Sequence, residues 1–378
     1  MSDPLANRLR QLEANGVVIV DPRQTYVDPA VVLGRVRSGA VLHPGTRLLG
    51  ARTFVGPGAV IGQEGPAVID NGVIGTGAAV ASGYVNDAVL LPDARVGAAN
   101  HIRGGTILEE QASTAHAVGL KQSILLCFAT LGSVINFCDV LIYGGRSRRD
   151  HSEIGSGFIH FNFTPWGARG DKATASLIGD VCAGVFMREP RIFMGGMAGL
   201  VGPQTVGFGA LTAAGQVVRK AVPDNTLVAK PSADIERRVA PGTLDDLKRR
   251  LDQNLHYIGE LFALRAWYQE VRLARIPDTA DHADMRIVIA EALATLEVCI
   301  DERVQRLSAF LEERGVDMPA LAIEVPACPA ALSGGAPEVS HVDWVQSLPD
   351  AAVQDGSQWL RDISDSVSAA FHAAADTG

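Results

Sequence analysis

Residues 49–66, LGARTFVGPGAVIGQEGP, place an aliphatic residue followed by glycine at every sixth position, at Leu49, Val55 and Ile61. This period matches neither the 3.6 residues of a helical turn nor the twofold alternation of a long strand. It is typical of short strands joined by tight turns, in which each aliphatic side chain points into a narrow interior and glycine takes the corner.

The same rhythm extends from residue 27 to about residue 218, in copies that include IGTGAA, VGAANH, LGSVIN, IGSGFI and VGFGAL. Three six-residue units would close one triangular coil, so residues about 18 apart should stack on one face. The period predicts an all-β parallel β-helix over residues 25–235, preceded by an N-terminal segment at 1–24. A glycine-rich β-sandwich is the alternative for such a composition.

A helical spacing of leucines replaces the sixfold rhythm further along the chain. The leucines recur within 243–275 and again within 293–311, with a turn-like stretch between the two runs. We predict a helical hairpin over 236–315, with Thr243 and Asp246 as a capping box. The tail, 316–378, begins rich in Pro, Ala and Gly, and we expect it to be partly disordered with at most one short helix near WLRDISDSVSAAF (359–371).

Charge and cysteine content restrict the partners of this chain. The 378 residues carry a formal net charge of -9 without a Lys/Arg stripe, so we expect no nucleic-acid partner. No apolar run approaches the length of a membrane span, about 20 residues, so we expect no membrane association. The five cysteines are odd in number and lack CxxC spacing, which favours reduced thiols in a cytoplasmic protein.

The repeats, together with LEANGVVIVDPRQTYVDPAVVLG (12–34) and IRGGTILEEQASTAHAVGLKQSIL (102–125), resemble the hexapeptide-repeat acyltransferases. The resemblance runs, with gaps, from about residue 9 to 230. It is strongest to the acetyltransferase domain of the bifunctional enzymes that make UDP-N-acetylglucosamine. It implies a left-handed parallel β-helix, a homotrimer with active sites between subunits, and transfer of an acyl group from acetyl-CoA, or another acyl-CoA, to an amino-sugar phosphate, sugar nucleotide or related small metabolite.

The same resemblance assigns the phosphate contacts. The segment IRGGTILEEQASTAHAVGLKQSIL matches a family segment in which an Arg and a Lys hold the sugar phosphate, here Arg103 and Lys121. They lie 18 residues apart, so a regular coil would stack them, and two adjacent cations suit a phosphate. GARGDKAT (167–174) resembles the family's basic loop, which makes Arg169 and Lys172 further candidates.

Other motifs match the family's acceptor and cofactor contacts. IGSGFIHFNF (154–163) resembles the segment whose Asn contacts the substrate amine, here Asn162, and a neighbouring family Asn becomes Glu153. LTAAGQVVRKAV (211–222) resembles the segment along which CoA lies, at Ala213 and Ala214. Lys230 falls near the family's contact to the CoA phosphates.

The family's catalytic histidine has no equivalent at its expected position. Counting from Lys121 puts that position at Ser133 and counting from Asn162 puts it at Asp139, a difference of one hexapeptide. Because a base near neutral pH is needed, His160 is the first candidate and His151 the second, with Asp139 or Glu153 orienting the imidazole. Strand alternation is taken to turn Phe158, His160 and Asn162 outward.

Two other functions compete with acyl transfer. A carbonic-anhydrase-like metalloenzyme of the gamma class would hold zinc with three histidines, for which His116, His151 and His160 are available, although the usual His-x4-His spacing is missing. We therefore assign no metal ligands. A non-catalytic trimeric scaffold or sugar-nucleotide-binding protein would explain the missing family histidine.

Overall fold

The computed structural model describes residues 4–162, 172–230, 247–321, 323–334 and 338–375. Short parallel strands follow one another around three faces, and the first face alone stacks 11 of them. Ile102 pairs with Leu120, 18 residues later, as three six-residue units per coil require. The predicted left-handed parallel β-helix with C-terminal helices is therefore confirmed.

Each coil contributes one strand to each face. The first face contains Val18–Ile19, Val41–Leu42, Val60–Ile61, Ala79–Val80, Arg95–Val96, Ser113–Thr114, Thr130–Leu131, Glu153–Ile154, Phe193–Met194, Leu211–Thr212 and Leu227–Val228. The second contains Tyr26–Val27, Arg47–Leu49, Ala67–Asp70, Gly83–Asn86, Asn100–Ile102, Ile159–Phe161, Gly199–Val201 and Val217–Val218. The third contains Phe54–Val55, Val73–Ile74, Ala88–Leu90, Thr106–Leu108, Ser176–Ile178 and Thr205–Val206. Gly119–Leu125 and Asn136–Ile142 continue from the second face into the third.

A short hairpin, Gly145–Ser147 with Asp150–His151, interrupts the coil that begins at Thr130. Consecutive first-face strands elsewhere start about 18 residues apart, whereas Thr130 and Glu153 are 23 residues apart. The hairpin accounts for the extra hexapeptide that the sequence motifs indicated between Lys121 and Asn162.

Six α-helices accompany the β-helix: α1 Pro4–Ala14, α2 Val181–Gly184, α3 Leu247–Ala266, α4 Ala283–Glu312, α5 His341–Ser347 and α6 Asp350–Ala375. Leu9 and Leu12 of α1 join the interior column and cover its N-terminal end. The first strand, Val18–Ile19, starts before the predicted boundary at residue 25. None of the helices in the described ranges is long and apolar enough to cross a membrane.

The third face is apolar on both sides, which explains why the helices cover it. Val73, Val89 and Ile107 point outward from this face and are at most 1% exposed, because they pack into one cluster with α3 and α4. A sheet covered on both faces needs apolar residues at successive positions, and Ala88–Leu90 is buried at all three.

Helix α4 runs along the corner between the second and third faces. Asp284, near its start, pairs with Arg37 at 2.6 Å, and Arg303 pairs with Asp139 at 2.9 Å. The helix rises about 28 Å between Asp284 and Arg303, and the six coils between Arg37 and Asp139 span about 29 Å at 4.8 Å each. The helix and the stack of coils therefore stay in register along this corner.

The tail differs from its predicted state. Instead of a short helix in a partly disordered segment, residues 350–375 form the 26-residue α6. Trp359, Ile363, Val367 and Phe371 recur every fourth residue and are at most 4% exposed. This stripe packs along α3, where a Cβ on Gly259 would lie 2.3 Å from the Ser364 carbonyl oxygen. The burial of that stripe supplies the free energy that the polar composition of the tail concealed.

Candidate functional site

A cavity of about 230 Å³ lies beneath α4, at the corner between the second and third faces. Its walls come from three consecutive coils on one side and from the C-terminal half of α4 on the other. The lining residues are Arg103, Lys121, Cys138, Asp139, Asn162, Lys172, Glu302, Arg303 and Arg306.

The β-helix side of the cavity is a stack of side chains on neighbouring rungs. Ile102 pairs with Leu120, so Arg103 and Lys121 follow on adjacent strands, and Lys121 pairs directly with Cys138. An Arg103 Nη lies 3.7 Å from the Cys138 sulfur. Burial raises the pKa of the Cys138 thiol and Asp139 adds to this, while Arg103 and Lys121 oppose it. The predicted stacking of Arg103 on Lys121 is confirmed.

The helix side closes the cavity through ion pairs. Arg303 and Asp139, 4% and 7% exposed, are joined at 2.9 Å, and the Asn162 amide donates to the other Asp139 oxygen at 3.1 Å. Asp139 takes this position with a φ of 61°, a left-handed conformation that aspartate tolerates. Burial works to raise the pKa of Glu302, but its hydrogen bond to Arg306 and the charges of Arg306, Arg303 and Lys121 leave that pKa lowered.

Positive charge dominates the cavity. Five cationic side chains face two carboxylates, a formal excess of three positive charges. Within the described residues, Arg103, Lys121 and Lys172 have no carboxylate partner, while Arg303 and Arg306 share the two available. The buried Nε of Arg103, and the Nε and one Nη of Arg303, have no hydrogen-bond acceptor. Unpaired buried donors are unfavourable, so the cavity is built for an anion.

The predicted phosphate and acceptor residues meet at this cavity. Arg103, Lys121, Asn162 and Lys172 all line it, together with Asp139. Arg169 lies outside the described residues.

His160 does not face this cavity or the solvent, so its predicted orientation is wrong. It is 3% exposed, whereas its neighbour Phe161 is 44% exposed. Its strand partner is the interior residue Leu200. The alternation was assigned in the wrong phase: counting six residues from the interior Ile154 puts residue 160 at the next interior position.

Both ring nitrogens of His160 are engaged inside the β-helix. Nδ1 donates to the Cys138 carbonyl oxygen, and Nε2 lies 2.9 Å from the Ser176 hydroxyl, which accepts from the Gln204 amide. Burial lowers the pKa of His160, as does Arg303, against opposing effects of the Cys138 carbonyl and Asp139. This neutral imidazole is suited to joining strands.

The other predicted acid–base residues lie elsewhere. His151 contacts the Arg148 carbonyl oxygen at 3.0 Å and Glu153 at 3.7 Å, beside the hairpin rather than at the cavity. Glu153 starts a first-face strand, paired with Thr130. No histidine lines the cavity among the described residues.

The predicted CoA-binding residues occupy a different corner, between the first and second faces. Ala213 and Ala214 follow the strand Leu211–Thr212 and stack on Gly195 of the preceding coil. Lys230 is exposed, and its carbonyl oxygen accepts from the Gln216 side chain at 2.8 Å. A single chain therefore does not bring these residues to the cavity.

Sequence reasoning missed the residues that α4 contributes: Glu302, Arg303 and Arg306. They form the charged run DERVQR beside a leucine stripe that was assigned to packing alone. The local signal was an arginine on the apolar side of a helix, since residue 303 lies three positions from Ile300 and four from Leu307, both buried.

The three histidines proposed for zinc are not brought together. His116 contacts the Ser133 hydroxyl at 2.9 Å, while His151 and His160 have the separate partners given above. Among the described residues, the cluster of ligand atoms close enough for one metal is Glu109, Glu110 and Cys127. Arg272 already pairs with both of those carboxylates, at 3.3 Å to Glu109.

Comparison with known proteins supports the resemblance seen in the repeats. The chain is 33% identical over 233 residues to the bifunctional protein GlmU of Nocardia farcinica, which covers 60% of this chain and 42% of that protein. It is 31% identical over 240 residues to GlmU of Mycolicibacterium smegmatis, covering 62% and 44%. It is 30% identical over 233 residues to GlmU of Mycobacterium tuberculosis, covering 60% and 42%. The chain therefore spans less than half of these relatives.

No family model matches the sequence. A solved structure of an Arabidopsis UDP-N-acetylglucosamine acyltransferase aligns with 80% of this chain and 91% of its own at 14% identity, but its TM-score of 0.26 is too low to support an argument. Over 60% of its length, this hexapeptide-repeat chain is thus a relative of the bifunctional GlmU proteins.

Proposed function

We propose that this protein binds a small phosphorylated metabolite in the cavity under α4 and transfers an acyl group to it from acetyl-CoA or another acyl-CoA. The observation that carries the proposal is the excess of positive charge, with unpartnered guanidinium nitrogens on Arg103 and Arg303. Charge-assisted hydrogen bonds from arginine and lysine are the strongest contacts available to a phosphate.

The acceptor class is an amino-sugar phosphate, a sugar nucleotide or a closely related metabolite. Its phosphate would lie against Arg103, Lys121 and Arg303. Asp139 and Asn162, which are hydrogen-bonded to each other at 3.1 Å, would orient the amine or hydroxyl that receives the acyl group. The similarity to GlmU proteins supports this class, since Arg103 and Lys121 fall in the segment that resembles the family's phosphate contacts.

The proposed donor site requires a second chain. Ala213, Ala214 and Lys230 lie at the corner between the first and second faces, away from the cavity, so CoA bound there could reach an acceptor only on a neighbouring protomer. We therefore propose a homotrimer, and light scattering that shows a monomer would contradict the shared site. Five free cysteines fit a reducing cytoplasm as its location.

A second candidate function is binding without catalysis. It is favoured by one observation: among the described residues, no histidine lines the cavity. In that case the protein would hold a phosphorylated metabolite or sugar nucleotide as a sensor or carrier.

Calorimetry and an acyl-transfer assay test both candidates. We expect glucosamine 1-phosphate to bind at least about tenfold more tightly than glucosamine, a difference of about 1.4 kcal/mol. Lys121→Met should remove most of that preference, whereas Arg95→Gln, an exposed first-face arginine, should leave it unchanged. Equal affinity for the two sugars would refute the phosphate site. Binding without release of CoA thiol from acetyl-CoA would favour the second candidate.

A further inference from the structure

A second cavity, of about 290 Å³, lies on the helical side of the molecule and takes no part in the proposed function. It is enclosed by a corner of the β-helix, the segment that follows α3, the first half of α4 and the start of α5. Its lining residues are Pro92, Asp93, Glu110, Gln111, Arg272, Arg275, Ile276, Met285, Ile289, Glu338, Val339, Ser340, His341 and Val342.

Arg272 forms part of the polar end of this cavity. It is 3% exposed and pairs with Glu110 and, at 3.3 Å, with Glu109. Its Nε has no hydrogen-bond acceptor. The guanidinium is thus neutralised by the protein on one side and retains an unused N–H group on the other.

Arg275 carries the charge that the protein leaves uncompensated. It is half-buried, and no carboxylate pairs with it among the described residues. Its guanidinium carbon lies 3.7 Å from the centre of the Trp344 ring, and its buried Nε has no acceptor. Burial, with a contribution from Arg272, lowers the pKa of Arg275 to about 10. A partly desolvated cation without a counter-ion is unfavourable and calls for an anionic partner.

The backbone at this point is unusual as well. Residues Trp267–Leu273 form a π-helical segment instead of continuing α3. Such wider turns occur mostly as short insertions and frequently at functional sites. Here the segment holds Arg272 against Glu109 and Glu110 and ends just before Arg275.

The opposite end of the cavity is apolar. Ile276, Met285, Ile289 and Val342 line it from three different elements. The volume suits a small ligand, at the lower limit of about 300 Å³ for typical sites. The ligand must therefore combine an acceptor-rich anionic end with a short apolar body.

The rim selects the charge of that anion. Asp93 and Glu338 are exposed at the edge, and Glu110 lies inside. These carboxylates would repel a dianionic phosphate, whereas a single carboxylate can pair with Arg275 and accept from Arg272 Nε. We propose that this cavity binds a small aliphatic monocarboxylate, separately from the phosphate cavity under α4.

Calorimetry on the full chain with butanoate, hexanoate and octanoate tests the proposal. We expect affinity to rise along the series until the cavity is full, with 1-hexanol and hexylammonium binding at least tenfold more weakly than hexanoate. Arg275→Gln should weaken hexanoate binding by at least tenfold. Arg314→Gln is the matched control, because Arg314 also stacks on an aromatic ring, Phe310 at 3.8 Å, but outside this cavity.

Two further variants locate the site. Met285→Trp should block hexanoate by filling the apolar end while Arg275 remains in place. Lys121→Met should leave hexanoate binding unchanged, because that residue lines only the phosphate side of the molecule. The proposal is overturned if no carboxylate of the series binds, if 1-hexanol binds as tightly as hexanoate, or if Lys121→Met abolishes binding and Arg275→Gln does not.

Discussion

The ion pair between Arg303 and Asp139 provides the sharpest test of how α4 is attached to the β-helix. Both side chains are almost completely buried and their nearest atoms are 2.9 Å apart. At that distance the gross Coulomb attraction is about 6 kcal/mol for an effective dielectric constant of 20. Most of it is offset by the desolvation of the two charges.

Removing one partner reverses this balance, since the other charge stays buried. We expect Arg303→Met to lower the free energy of unfolding by about 3–5 kcal/mol, toward the lower end because the Asn162 amide still donates to Asp139. Asp139→Asn should also be destabilising, and asparagine tolerates the left-handed φ of 61° at this position. The double variant should be clearly more stable than the sum of the two losses predicts.

Urea unfolding followed by tryptophan fluorescence is the appropriate assay. Three of the four tryptophans, Trp267, Trp344 and Trp359, lie in the helical layer, so the signal reports its detachment. Arg306→Met is the control, because its pair with Glu302 is exposed and worth about 0–1 kcal/mol. If Arg303→Met costs no more than Arg306→Met, or if the two main losses simply add, the pair does not hold α4 in place.

Two further predictions concern stability. The folded pKa of His160 lies below its unfolded value of about 6.5, so its contribution is complete above that pH and declines as pH falls toward the folded pKa; the stability difference between wild type and His160→Leu should therefore shrink from pH 7 to about pH 5 in urea titrations, and a constant difference would contradict a neutral interior imidazole. Gly259→Ala should destabilise by about 1–3 kcal/mol, although alanine favours helices, because its Cβ would meet the Ser364 carbonyl oxygen at 2.3 Å; unchanged thermal unfolding would show that α6 does not pack on α3 this closely.

The β-helix was predictable because its rule is local. A narrow triangular interior admits an aliphatic side chain once per strand, so the constraint recurs every sixth residue and is legible at Leu49, Val55 and Ile61. The stacking of Arg103 on Lys121 follows from the same period. The period alone does not give the phase of each strand, which is why His160 was assigned outward although Ile154 places it inside.

The sequence by itself determined the coiled architecture, the helical hairpin and the cations on one corner of the coil. Only the tertiary structure decided that α4 lies along that corner and adds Arg303 to a site whose other members are far away in sequence. It also decided that the tail forms a helix, because the apolar stripe of α6 becomes stabilising only against the surface of α3. The physical reason is that periodicity reflects what each residue needs locally, whereas contacts between distant segments depend on complementary surfaces that exist only after both have folded.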